Sequence, residues 1–346
     1  MVRRPEQAGR MSTLSVTLHQ YERLKRSPAG WALLAVGTLL LLWLLLIVLR
    51  VVFEDAQTRR FLTVTLNGLS LAALYFVVAS GFTLIFGLMR TVNLAHGSLY
   101  LLGAYVGYDV STATGSWYLG LLGGAAGAAL AGLLIQRFLL SWMPRQELRQ
   151  TLVTIALTIV FADLMLWHWG GVTYQITPPD YLTGFLRFEL FGNFKGYTII
   201  RLFMLPLAVV IGLGLWLLVR FTRLGMMIRA GVDDQDMLSA TGVNVPVVFL
   251  GVFALGSALA GIAGVLGASA LSVAPGEDVR YLLSSLVVVI VGGMGSVGGA
   301  AVGALLIGLV EMYGSAYAPT YSVVYTFVIM VAVLAVRPQG IMGRPA

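Results

Sequence analysis

The sequence predicts an all-α, polytopic membrane protein of about ten membrane segments, some of them short or broken by glycine. Three observations carry that prediction. Of 346 residues, 58% are hydrophobic and 11% charged, against roughly 25% charged in a soluble domain, and the mean hydropathy is +0.89. Apolar runs recur at lengths near the roughly 20 residues that cross a bilayer core as helix. The few charges cluster between those runs and seldom within them.

In chain order, full-length segments are expected at 31–52, 61–89, 117–139, 151–169, 202–220, 247–270 and 320–336, with shorter or glycine-broken ones at 98–112, 281–293 and 299–315. Residues 1–30 form a polar cytoplasmic tail, 31–336 the transmembrane domain and 337–346 a C-terminal cytoplasmic tail. The first apolar segment, "WALLAVGTLLLLWLLLIVLRVV", is too long for a signal-peptide core and lacks a small-x-small cleavage site, so it reads as a retained helix. Fifteen of the 22 Lys and Arg fall on one side when the N-terminus is placed inside, among them Arg90, Arg137, Arg145, Arg149, Arg220, Arg223, Arg229 and Arg337. Cationic loops stay in the cytoplasm, so both termini are expected there. The net charge of +7 is then a topology signal, and nucleic acid is not an expected partner. The chain has no Cys, which excludes disulfides, thiol catalysis and cysteine metal sites.

Between two apolar segments lies a polar stretch, "RAGVDDQDMLSATGVNVP" (229–246), inside a cytoplasmic loop at about 221–246. Asp233 or Asp234 can cap a helix start, accepting from free backbone N–H groups and opposing the positive helix end. Residues 234–241 supply about two turns, Gly242 suits the left-handed position that closes a helix, and Pro246 suits the first turn of the next. A two-turn helix does not stand alone in water. Met237 and Leu238 offer an apolar anchor, so the stretch is either a well-capped loop or a rigid dock for a cytoplasmic partner.

Two further stretches break apolar runs at membrane depth, "RTVNLAHGSLY" and "GGMGSVGG". Irregular backbone there is tolerated when it is buried in protein or lines a watery cavity, and free helix ends can hydrogen-bond a solute. Asn93 and His96 are candidates to line such a path, His96 alternatively being a structural histidine bonded to a backbone carbonyl. Asp163, inside "IVFADLMLWHW", either lines the path or makes an interhelix hydrogen bond. Glu311 is expected to reach the outer interface, and Trp167, His168 and Trp169 to form an outer aromatic belt. Gly-x-x-x-Gly spacings at 120/124, 123/127 and 295/299/303 allow close helix packing, within one subunit or across a dimer. The outer loop at about 170–201 carries Gly192-Asn193 between strand-like runs, the pattern of a small hairpin.

The stretch "RAGVDDQDMLSATGVNV" resembles the coupling-helix region of branched-chain amino acid permeases of bacterial ABC importers, a family that also handles urea and short amides. "NGLSLAALYFVVASGFTLIFGLMRTVNLAHGSLYLLGAYVG" (67–107) and "VVIVGGMGSVGGAAVGALLIG" (288–308) agree with it, and the resemblance runs from about 61 to 342. It implies a permease subunit of the inner (plasma) membrane working by alternating access. The implied partners are two cytoplasmic ATPase subunits, a second permease that is more often a different chain than a copy, and a periplasmic or extracellular solute-binding protein. On this reading Asp233, Asp234, Gln235, Asp236, Met237, Leu238 and Gly242 couple to the ATPases. Asn67, Asn93, His96, Ser98, Asp163, Gly293, Gly295 and Ser296 belong to the translocation path. No G-x-x-x-x-G-K-[ST] motif is present, so the chain is not expected to be an enzyme, and no cofactor or metal is expected. A secondary transporter or channel without ATPases, and a structural membrane scaffold, are the other classes this composition fits.

Overall fold

The computed structural model describes residues 55–89, 92–144, 146–186, 197–233 and 235–343. The expected segment 31–52 and both ends of the chain lie outside them, as does the Gly192-Asn193 tip. Two compact units divide after Leu62, and the second, Thr63–Ala346, holds the bundle.

Eleven helices are described: α1 Asp55–Met89, α2 His96–Thr114, α3 Trp117–Leu134, α4 Glu147–Trp169, α5 Ile199–Phe221, α6 Arg223–Asp233, α7 Gln235–Ala240, α8 Val245–Ala270, α9 Glu277–Gly292, α10 Val297–Tyr317 and α11 Ser322–Val336. Each of the nine expected segments from 61 onward has its helix. Seven spans among the described residues are long and apolar enough to cross a membrane. The other two, α2 and α9, correspond to the short segments 98–112 and 281–293. Beyond α3 the chain continues as one wide turn, Ile135–Leu139, and one tight turn, Leu140–Trp142. Between α4 and α5, β1 (Phe185–Leu186) pairs antiparallel with β2 (Tyr197–Thr198), Phe185 opposite Thr198, as the base of a hairpin requires.

Helix ends follow side-chain chemistry. Gly115 is left-handed at φ +67° and closes α2, and the Ser116 hydroxyl then accepts from Leu119 N–H to open α3. Asn244 caps α8 through Val247 N–H, with Pro246 in its first turn, where the missing proline N–H costs nothing.

Burial decides which helix is central. In α1, 89% of the most apolar window is buried inside the protein, against 11% in α4 and 6% in α11. Leu74, Tyr75, Val77, Val78 and Ala79 are sealed from solvent within a single apolar core, while α4 and α11 turn most of their surface outward. Beside α1, the helices α2, α3 and α8 pack with backbones nearly touching. A methyl group on Gly103 would strike Gly261, one on Gly124 would strike the Gly103 carbonyl, and one on Gly264 the Tyr100 carbonyl. The contact order places α2 parallel to α8 and antiparallel to α3: Gly103 meets Gly261 and Gly107 meets Val265, whereas Gly120 meets Gly107 and Gly124 meets Gly103. Trp117 Nε1 donates to Ser269 Oγ at 2.9 Å and ties α3 to α8 at one end. The glycine spacings at 120/124 and 123/127 therefore serve packing within the subunit. Lipid gives helices no hydrophobic reason to associate, and close van der Waals fit replaces it.

Gly103→Val should destabilise the bundle by about 1–3 kcal/mol or more through overpacking, lowering the thermal midpoint of the detergent-solubilised protein. Gly214, exposed on α5 with open space around it, should accept Ala with no loss of midpoint. Equal midpoints for Gly103→Val and wild type would contradict the packing described.

Candidate functional site

The first candidate element is the α1–α2 break. His96 Nε2 lies 3.0 Å from the Val78 carbonyl oxygen, a hydrogen bond that requires the proton on Nε2. Val78 is eleven residues before the end of α1, roughly 16 Å back along the helix at 1.5 Å per residue. The chain therefore leaves α1, turns back and starts α2 part-way along it, so α2 is a re-entrant helix. Asn93 makes the turn possible. Its Oδ1 accepts from Ala95 N–H at 3.1 Å, and its carbonyl accepts from His96 N–H at 3.2 Å. Two threonines of α4 take up the remaining backbone: Leu94 N–H donates to Thr154 Oγ1 and Thr158 Oγ1 donates to the Leu94 carbonyl. Phe82 meets the imidazole edge-on, centroids 5.5 Å apart.

What this cap leaves over is chemically suggestive. Asn93 Nδ2, His96 Nδ1, Ser98 Oγ and Asp278 Oδ2 are all buried without a protein hydrogen-bond partner. Buried polar atoms are nearly always paired, so several near one helix start mark a place where water or a solute's polar groups are accommodated. Asp278, in the first turn of α9, belongs to this group because α9 crosses α2 there: a methyl on Gly97 would strike the Asp278 carbonyl and crowd Leu282. The Ser98 hydroxyl lies beside the Asp278 carboxyl without forming a well-aligned bond. Asp278 was absent from the residues read off the sequence. Its signal there was an acid opening an otherwise apolar segment, visible only once α9 is known to start beside α2.

The second element is the α9–α10 break. Gly293 and Gly295 are left-handed at φ +110° and +81°, and Ser296 caps α10 by accepting from Gly299 N–H at 3.0 Å. The C-terminal segment closes the break from the other side. Ile341 N–H donates to the Val291 carbonyl and Met342 N–H to the Gly292 carbonyl, both at 2.9 Å, satisfying the acceptors that end α9. Gly295 also packs on Gly87, a methyl there lying 3.5 Å from Gly87 Cα. The end of α1 thus adjoins the α9–α10 break, whereas the start of α2, with Gly97 against Asp278, lies by the opposite end of α9.

The polar stretch between α5 and α8 contains more helix than expected. Arg223–Asp233 forms α6, so Asp233 ends one helix where it was expected to cap the start of another; α7 then runs only from Gln235 to Ala240. The signal for α6 was missed because Leu224, Met227 and Ile228 were read as loop. Their three-to-four spacing places them against Leu84, Leu88, Leu215, Val248 and Val252, a second small core at this end. Asp234 lies outside the described residues, and of Asp233 and Gln235 only the backbone is described. Gly242 is left-handed at φ +84°, as expected. Met237 and Leu238 face opposite ways: Met237 is 69% exposed, Leu238 is 7% exposed and packs beside Gly231. Asp236 is exposed.

Asn67 and Asp163 lie away from both breaks. Asn67 Oδ1 accepts from Tyr197 Oη and from Arg201, each at 3.0 Å, pinning the return of the outer loop onto α1. Asp163 is exposed on the peripheral helix α4. Of the expected aromatic belt, Trp167 is exposed, while Trp169 turns inward, stacking on Tyr105 and donating to Asp109.

The described residues form a bundle with seven helical spans long and apolar enough to cross a membrane, and two of its segment junctions are broken by irregular backbone. The chain belongs to the family described as the branched-chain amino acid transport system permease component, matched over residues 64–334. It is similar to the high-affinity branched-chain amino acid transport system permease protein LivH of Escherichia coli (strain K12), 29% identical over 82% of this chain and 96% of that one. It is also similar to the corresponding protein BraD of Pseudomonas aeruginosa, 28% identical over 81% of this chain and 94% of the relative. Among solved structures, the chain from PsaBC of Streptococcus pneumoniae in complex with Fab gives a TM-score of 0.45 at 12% identity, covering 79% of this chain and 91% of that one.

Asn93→Ala should cost about 1 kcal/mol for the lost side-chain hydrogen bond to Ala95 N–H, and Asn93→Ser should recover part of it by closing the same turn. Thermal midpoints of the purified protein measure both. An Ala variant as stable as wild type would remove this turn-forming role.

Proposed function

We propose that this chain forms the translocation path for a small zwitterionic solute, a branched-chain amino acid in the first instance, and couples that path to separate ATPase subunits by alternating access. Two cytoplasmic ATPases, a second permease (a different chain in preference to a copy) and an external solute-binding protein complete the importer. Both termini face the cytoplasm. The supporting observation is the juxtaposition at one end of the bundle. There α1 ends beside Gly295 of the α9–α10 break, and α6 and α7 pack against the same end of α1, with Leu88 and Leu238 both against Gly231.

Each group has a role in this reading. Leu238 fixes α7 to its own subunit, while Met237 and Asp236 present the outward side to the ATPase. Gly242 lets the chain turn sharply into α8, so a push on α7 is delivered to a rigid spanning helix. Asn93, His96, Ser98, Gly293, Gly295 and Ser296 edge the path at the breaks, where unpaired polar groups meet the solute. The chain supplies no ATP chemistry, and the free energy of transport enters through the docked partners.

Met237→Asp should weaken assembly, because it places an unpaired charge in a contact that closes on binding. Gly242→Val should slow coupled transport, since a β-branched residue fits the left-handed position poorly. Co-purification of the ATPases and transport-coupled ATP hydrolysis in proteoliposomes are the measurements. Full assembly and full coupling in Met237→Asp would refute the docking role. Uptake persisting without any ATPase would instead favour a secondary transporter or channel.

A further inference from the structure

Four helices bring a second polar cluster together roughly 20 Å along α9 from the Gly293 break, thirteen residues at 1.5 Å each. Tyr75 of α1 donates its phenolic proton to Glu311 Oε2 of α10 at 2.7 Å and accepts from Ser284 Oγ of α9 at 3.2 Å. The other Glu311 oxygen lies 3.5 Å from Arg280, and Arg280 lies 3.5 Å from Glu277. Tyr100 of α2 and Tyr281 of α9 pack with centroids 4.2 Å apart, and Tyr75 meets Tyr281 edge-on at 6.0 Å. All three tyrosines are essentially sealed, whereas the Arg280 side chain is 50% exposed and that of Glu311 18%.

The geometry is that of a held carboxylate and an uncommitted cation. Glu311 is fixed by a short bond from a buried donor. Arg280 stands between two carboxylates at distances well beyond the roughly 2.7–2.9 Å of a charge-assisted hydrogen bond, and half-exposed ion pairs of that kind contribute little. Its planar fork is therefore free to exchange a loose pair for a bidentate one with an incoming carboxylate. The exchange leaves Glu311 and Glu277, both partners of Arg280, with surplus negative charge. That charge, beside aromatic faces, suits an ammonium group. An acid at this depth in a spanning helix is costly unless it serves a partner or a path.

We infer that Arg280, Glu311 and the Tyr75–Tyr100–Tyr281 cluster form an entry site for a zwitterionic amino acid. Arg280 takes the carboxylate and Glu311 takes the ammonium, while the sealed tyrosines hold Glu311 and the face of α9 in place. This rests on the function proposed above and adds a point of chemical recognition in the permease itself, next to the start of α2, where Ser98 lies beside Asp278. It also makes the site a junction, because its four helices, α1, α2, α9 and α10, are those that flank the two breaks.

The absence of native Cys makes the test direct. In the reconstituted complex with its ATPase and permease partners, and without binding protein, Ser284→Cys should react with a small methanethiosulfonate. Leucine should slow that reaction about tenfold when held at about ten times its half-protecting concentration, the mass-action expectation for one site. Arg280→Gln or Glu311→Gln added to the same chain should abolish the protection. 3-Methylbutylamine and 4-methylpentanoate, each carrying one of the two charges, should protect less than leucine. A second readout needs no cysteine: leucine should raise the thermal midpoint of the wild-type complex but not of the Arg280→Gln complex. Absence of leucine protection and of a midpoint shift, in a wild-type complex that imports leucine with ATP when the binding protein is added, overturns the entry site alone. Protection that survives both charge substitutions does the same. A wild-type complex that imports no branched-chain amino acid removes the function proposed above and this site with it.

Discussion

The constraint on which everything else depends is that a backbone N–H or carbonyl inside a bilayer has no water to bond. An unbroken helix meets that constraint by itself, and most of this bundle consists of such helices. Two places do not meet it, the turn before His96 and the turn after Gly292, and each carries a dedicated set of compensating groups. At the first, Asn93, Thr154 and Thr158 take up the exposed backbone. At the second, Ser296 takes one end while the C-terminal segment donates two backbone hydrogen bonds to the carbonyls that end α9. Side chains and a whole segment committed to two turns show that those turns are maintained features of the fold.

The same constraint explains the glycine distribution. A helix that starts part-way along another must be held by contact along its length, because it lacks a full-length apolar face. Re-entrant α2 is gripped by α3 and α8 through glycines that let the main chains approach one another closely, Gly103 on Gly261 and Gly124 on Gly103. Van der Waals contact at that distance is short-ranged and intolerant of added volume. The grip fixes α2 so that its first turn, with Ser98 and the neighbouring Asn93 and His96, is positioned by packing on three sides. A fixed helix start would let the proposed path offer the same hydrogen-bonding groups to each solute molecule.

Local features were legible in the sequence and long-range ones were not. Segment positions, the left-handed Gly242, the first-turn Pro246 and the two interruptions all follow from spacing and from single-residue backbone preferences, which act within a few residues. The helix α6 escaped because its apolar spacing is interleaved with Arg223 and Arg229, so composition suggested loop while its packing against Leu84 and Leu88 makes it helix. The opposite facings of Met237 and Leu238 depend on what lies beside α7, which no local pattern states. The Tyr75–Glu311–Arg280 cluster joins residues separated by more than 200 positions, each unremarkable alone: a Tyr in an apolar run, an Arg before a span, a Glu near a helix end. Asp163 is the reverse case. Its chemistry drew notice, yet it lies on the exposed side of a peripheral helix, where its meaning depends on whatever covers α4.

The position of α7 relative to the breaks gives the proposed coupling a mechanical order. Leu238 and Leu88 of α1 both pack against Gly231. Leu88 is the penultimate residue of α1, Gly87 beside it touches Gly295, and the α1–α2 turn follows at once. A displacement of α7 cannot be absorbed at Gly231, where the neighbouring side chains leave little room for added volume. It must pass either to α8 through the Gly242 turn or to the end of α1. Both routes converge on the re-entrant helix, since α8 packs on α2 through glycine contacts and α1 holds His96 through the Val78 carbonyl. Close packing in this part of the bundle makes it stiff, and stiffness between the proposed docking surface and two interrupted helices is what the proposed coupling would need to turn a push from outside the bilayer into a change of access within it.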